Sequence, residues 1–106
     1  MENTTMSREE IVAVIGGADW FLRTQRLNNL VRAKMRSANI SIEKWSHTFS
    51  DAGEPCGSMA GQQFVQDGRP ITRRQAAAAC GLPLDTGDDP RTFAFPEASQ
   101  LAPWAY

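Results

Sequence analysis

The sequence predicts a mainly α fold, a small single-domain helical bundle around a long central helix at 19–38. Three observations predict it. Trp20, Thr24, Leu27, Val31, Met35 and Ala38 fall on one face at helical spacing, with Arg23 and Lys34 along one margin and Arg32 and Arg36 along the other. Two segments open with a capping box, Ser7-x-x-Glu10 and Thr72-x-x-Gln75, and both run to a glycine stop. Finally, Ile42, Trp45 and Phe49 recur at i, i+3 and i+7, which reads as a third apolar helix face.

Taken in order, Ser7 starts a short helix whose Ile11, Val14 and Ile15 face the core, and Gly16-Gly17 ends it. Asp19 caps the central helix and favours the positive end of its dipole. Leu27 and Val31 should be nearly fully buried in its stripe. Asn39-Ile40-Ser41 breaks that helix and Ser41 caps the next, whose aromatic face packs on Trp20, Leu27 and Val31. Gly53 to Gly57 is the clearest loop. Residues 59–72 fork between a hairpin turning at Asp67-Gly68 (strands near 62–72) and a short helix stopped by Gly68, with a slight preference for the helix.

Arg73 to Cys80 is helical, and its Ala76–Ala79 run lets a neighbour pack close. Leu82 and Leu84 cover the core. Residues 85–90 form a loop, and about 90–106 an extended aromatic tail. Within it Phe93 and Phe95 alternate as an anchor or short strand, Pro96 starts a helical turn to Leu101, and Trp104 and Tyr106 either fold back or dock into a partner.

Composition bounds the function. The 106 residues are 42% hydrophobic and 22% charged, enough for one core without disulfides or metal. No apolar run of about 18 residues exists to span a membrane, and the polar start lacks a signal-peptide core, so the expected location is cytoplasmic. The net charge of −1 hides alternating blocks, with basic residues concentrated in 19–44 and 69–84. A dedicated nucleic-acid binder is usually basic overall.

Catalytic and metal chemistry find little support. Cys56 sits in a Gly/Pro loop and His47 is the sole histidine, but nothing in their spacing makes a nucleophile pair. With Cys80 they give three zinc ligands, one short of a site and without paired cysteine spacing. Asp85, Asp88 and Asp89 do not match a calcium loop, and Gly16-Gly17 lacks the phosphate-loop pattern. The expectation is a non-enzyme without cofactor or metal. Trp20, Phe21, Trp45 and Phe49 are expected in the core.

SIEKWSHTF (41–49) resembles the first helix of a helix-turn-helix unit, with capping Ser41, apolar Trp45, small Ser46 and Phe49 closing the face. ITRRQAAAACGLP (71–83) resembles such a helix with its turn. Each covers under a fifth of the chain, and neither is followed by a recognition helix. The resemblance implies a DNA-binding regulator as the alternative function, with nucleic acid the second choice of partner. The leading expectation is a small protein-interaction module: an inhibitor, adaptor or assembly subunit. Compact accessory proteins of phages and mobile elements that block a host complex have this general character. Its partner would carry an acidic surface gripped by Arg23, Arg26, Arg32, Lys34, Arg36, Arg73, Arg74, Trp104 and Tyr106. Those cations should form separate strips, so reversing Arg32 and Arg36 together should weaken binding with the fold intact.

Overall fold

The computed structural model describes residues 5–17, 19–84 and 93–101. Their architecture is α+β, which corrects the helical bundle. Helices α1 (Arg8–Ile15) and α2 (Trp20–Ser37) come first, followed by strands β1 (Ile40–Asp51), β2 (Glu54–Gln66) and β3 (Arg69–Ile71), then helix α3 (Arg73–Cys80) and a 3-10 turn at Ala98–Gln100. The strands form an antiparallel sheet in the order β1-β2-β3.

The predicted helix caps form, although the Ser7-x-x-Glu10 box does so only by its hydroxyl half. The Ser7 hydroxyl accepts the Glu10 N–H at 3.1 Å, and the Asp19 carboxylate accepts the Phe21 N–H at 2.7 Å. Thr72 and Gln75 satisfy each other's backbone N–H groups at 3.1 and 2.9 Å, a complete capping box. Gly81 ends α3 at φ 67°, the left-handed stop.

The predicted third helix is a strand. Residues 42, 45 and 49 fit a helical face, but Ile40 and Ile42 alternate on one face of β1, and Trp45, His47 and Phe49 alternate on the other. Asn39, at φ 60°, ends α2 and turns the chain into β1, and its side-chain amide donates to the Asp67 carboxylate. The Gln66 amide donates to the Ala38 carbonyl at 3.0 Å, seating the base of the hairpin on the end of α2. The fork at 59–72 resolves as strand: Asp67-Gly68, both at positive φ, joins β2 to β3. The loop predicted at 53–57 shrinks to a turn at Ala52-Gly53, because Glu54–Gly57 already belong to β2.

Ala52 occupies the left-handed region at φ 51°, a conformation that costs a residue bearing a Cβ about 1–2 kcal/mol. Asparagine tolerates it better and favours this turn when followed by glycine. Ala52→Asn should therefore slow amide exchange in the distal hairpin by about fivefold, equivalent to about 1 kcal/mol. Unchanged or faster exchange would mean that the turn is not strained as described.

The core lies between α1, the C-terminal half of α2, α3, the base of the sheet and the 93–101 segment. Ile11, Val31, Ala76 and Phe95 are completely buried. Leu27 is only half-buried, short of the near-complete burial expected of it. The predicted stripe on α2 thus divides: Val31 and Met35 are core, whereas Trp20 is 76% exposed. Phe64 and Phe95 pack with ring centroids 5.5 Å apart, and the Phe95 N–H donates to the Pro83 carbonyl at 3.0 Å. Residues 93–101 are therefore a strap whose Phe93, Phe95, Ala98 and Leu101 are buried in the core.

Candidate functional site

Beyond its base, the β1–β2 hairpin is a two-stranded arm. β3 pairs only with Phe64–Gln66, and residues 43–60 are exposed on both faces of the ribbon. Both faces of an isolated ribbon meet water, so its side chains show what it is suited to touch. Opposed residues in an antiparallel pair share a face. One face carries Lys44, Ser46 and Thr48 opposite Gln62, Ala60 and Ser58, all small or polar. The other carries Trp45, His47 and Phe49 opposite Gly61, Met59 and Gly57.

On this second face Gly61 makes room for the Trp45 ring. A Cβ on Gly61 would lie 3.0 Å from the Trp45 ring, so the indole lies across the neighbouring strand where only glycine leaves it room. His47 and Phe49 pack edge to face with centroids 4.6 Å apart. Trp45, Phe49 and Met59 remain 37, 43 and 55% exposed. The result is an ordered apolar strip held out in solvent. The core positions expected for Trp45 and Phe49 are thereby corrected, as are those of Trp20 and Phe21.

The sequence-predicted cations scatter. Arg32 is only 2% exposed, and its Nη2 donates to the Leu101 carbonyl at 2.7 Å, pinning the C-terminal strap to α2. Arg26 donates to the Ile15 carbonyl at 2.9 Å, bracing the end of α1 where the helix dipole favours a cation. Arg23 lines a shallow cleft of about 160 Å³ with Ile15, Trp20, Thr24 and Leu27. Arg36 is exposed at the base of the arm, beside Asn39, Glu43 and Asp67. Arg73 is half-buried with its Nε enclosed, Arg74 is exposed, and Lys34 is half-buried near Cys80. Trp104 and Tyr106 lie outside the described residues, as does the 85–90 loop. Reversing Arg32 together with Arg36 would place a carboxylate at a buried position, so the pair is expected to weaken the fold as well as any binding.

A second apolar surface lies where α1 meets α2. Val14, Trp20 and Phe21 are 59, 76 and 65% exposed there, and Trp20 also lines the Arg23 cleft.

The two thiols have opposite surroundings. Cys56 is exposed near the tip of the arm, whereas burial pushes the Cys80 thiol from its ordinary value of 9.0 up to about 11, with Lys34 pulling partly against that shift. A raised thiol pKa favours the neutral form in the folded state, so this contribution to stability is complete below pH 9 and is lost as pH rises towards 11. At pH 8 a maleimide should modify Cys56 fast and Cys80 only on unfolding, at least about a hundredfold more slowly. Equal rates, read by mass spectrometry, would contradict the burial of Cys80.

Among the described residues no three His, Cys, Asp or Glu side chains lie together as a metal site, and no helix is long and apolar enough to cross a membrane. Geometry thus defines the molecule as an α+β domain bearing a projecting β-arm. Compared with protein-family models, characterised proteins and solved structures, the chain matches none.

Proposed function

We propose that this protein is a small non-enzymatic interaction module that engages another protein through the aromatic face of its β-arm. The observation that carries this reading is the ordered, exposed strip of Trp45, His47, Phe49 and Met59 on a ribbon whose opposite face is polar. Aromatic and methionine side chains are enriched where protein interfaces gain their binding energy. The arm carries Glu43, Asp51 and Glu54 against Lys44 alone, a poor balance for following nucleic-acid phosphates. Of the two helix-turn-helix candidates, 41–49 loses its helix to β1, whereas 71–83 keeps its helix, α3, and the Gly81 stop.

This moves the binding surface away from the basic margins of α2. Arg23, Arg36 and Arg74 remain available to supplement it, whereas Arg26 and Arg32 serve the fold. An inhibitor, adaptor or assembly subunit would each use such an arm.

A photo-crosslinker on Cys56 tests the reading in the cell extract of origin. The expected result is a discrete protein adduct, identified by mass spectrometry and lost in a Phe49→Ser/Met59→Ser variant. Nanomolar binding to duplex DNA at physiological salt, with an adduct unaffected by that variant, would reverse the conclusion.

A further inference from the structure

Two apolar surfaces of this chain are exposed together: the arm face of Trp45, Phe49 and Met59, and the helical patch of Val14, Trp20 and Phe21. We infer that the occupant of the arm face is the helical patch of a second copy, each chain laying its arm on the α1–α2 end of the other. This rests on the reading of the arm as a protein-binding element and names its partner.

Charge supports the pairing. The arm has an excess of carboxylates, Glu43, Asp51 and Glu54 against Lys44, while at the α1–α2 end Arg23 and Arg26 stand against Asp19. Arg23 lines the same cleft as Trp20, so a cation borders the apolar patch that would receive the acidic arm. Arm against arm would instead oppose like charges.

Area supports it too. Residues 43–51 span roughly 30 Å, and a two-stranded ribbon roughly 10 Å wide then offers roughly 300 Å² per face. Docked once, such a face removes roughly 600 Å² in total, below the roughly 1,000 Å² that a specific interface needs. A two-fold pair uses the contact twice and reaches roughly 1,200 Å², and the symmetry closes the assembly at two chains.

Sedimentation of the full chain tests this. Wild type should have twice the 11.7 kDa chain mass at micromolar concentration. Phe49→Ser/Met59→Ser in the arm and Trp20→Ser/Phe21→Ser in the patch should each weaken association by about a hundredfold or more, with far-ultraviolet circular dichroism unchanged. In a mixture of the two variants one of the two contacts is intact, so association should be intermediate, weaker than wild type and stronger than either variant alone. A monomeric wild type, an open polymer, a dimer that survives the patch variant, or a mixture no more associated than either variant alone would each overturn the inference. A monomeric wild type whose arm still crosslinks to a different protein would remove the second copy and leave the proposed function standing. A wild type that neither self-associates nor crosslinks to any protein would remove both.

Discussion

Arg32→Glu is expected to remove a large part of the protein's stability and to shift its urea midpoint strongly downwards. Arg32 is 2% exposed and donates to the Leu101 carbonyl, so reversal would bury a carboxylate against a carbonyl oxygen. Leaving a buried charge uncompensated costs about 3–5 kcal/mol, against a total stability of about 5–15 kcal/mol for a domain of this size. Arg32→Met should be milder, about 1–3 kcal/mol, because it keeps the packed stem and loses the hydrogen bonding. Urea denaturation separates the two. A wild-type midpoint for Arg32→Glu would mean that this side chain is at the surface and the strap is not pinned by it.

Phe95→Ala is expected to lose about 3–5 kcal/mol by leaving a cavity beside Phe64. Trp20→Ala, at a residue 76% exposed, should move the same midpoint by less than about 0.5 kcal/mol in the free chain. A stripe of uniformly buried apolar residues on α2 would give Trp20 the larger effect. The ratio of these two losses therefore reports directly on where the core lies.

The helices were legible because their signals are local. Ser7, Asp19, Thr72 and Gln75 act within one turn of their own backbone, and the expected span at 19–38 agrees with α2 and its two caps. The sheet was not legible because its signal is split across distant residues. Trp45, His47 and Phe49 alternate, but a histidine counted as polar hides the period, and 42, 45 and 49 then imitate a helix. Residues 54–66 show little strand character in isolation, since Pro55, Gly57, Ala60 and Gly61 are weak strand formers, and Gly61 is there to admit the Trp45 ring of the opposite strand. Pairing strands about Ala52-Gly53 sets Asp51 opposite Glu54, but it would set Trp45 opposite Ala60. A bulge between Phe49 and Ser50 shifts the register by one and brings Gly61 opposite Trp45, and the sequence carried no signal for that bulge. Burial of Arg32 had no such signal: its partner is a carbonyl 69 residues away. Along α2 nothing local distinguishes Trp20 from Val31, and what separates them is which end of the helix the sheet and strap cover.

The account depends on residues 40–66 forming a hairpin whose aromatic face is held clear of the chain's own core. Nuclear Overhauser contacts of the Trp45 indole test this most directly in the full chain. The expected result is a strong contact to the Gly61 Hα, with Hα–Hα contacts between non-hydrogen-bonded cross-strand neighbours along β1 and β2, and none to Val31 or Met35. Helical i to i+3 contacts within 41–49, with the indole against Leu27 and Val31, would contradict it.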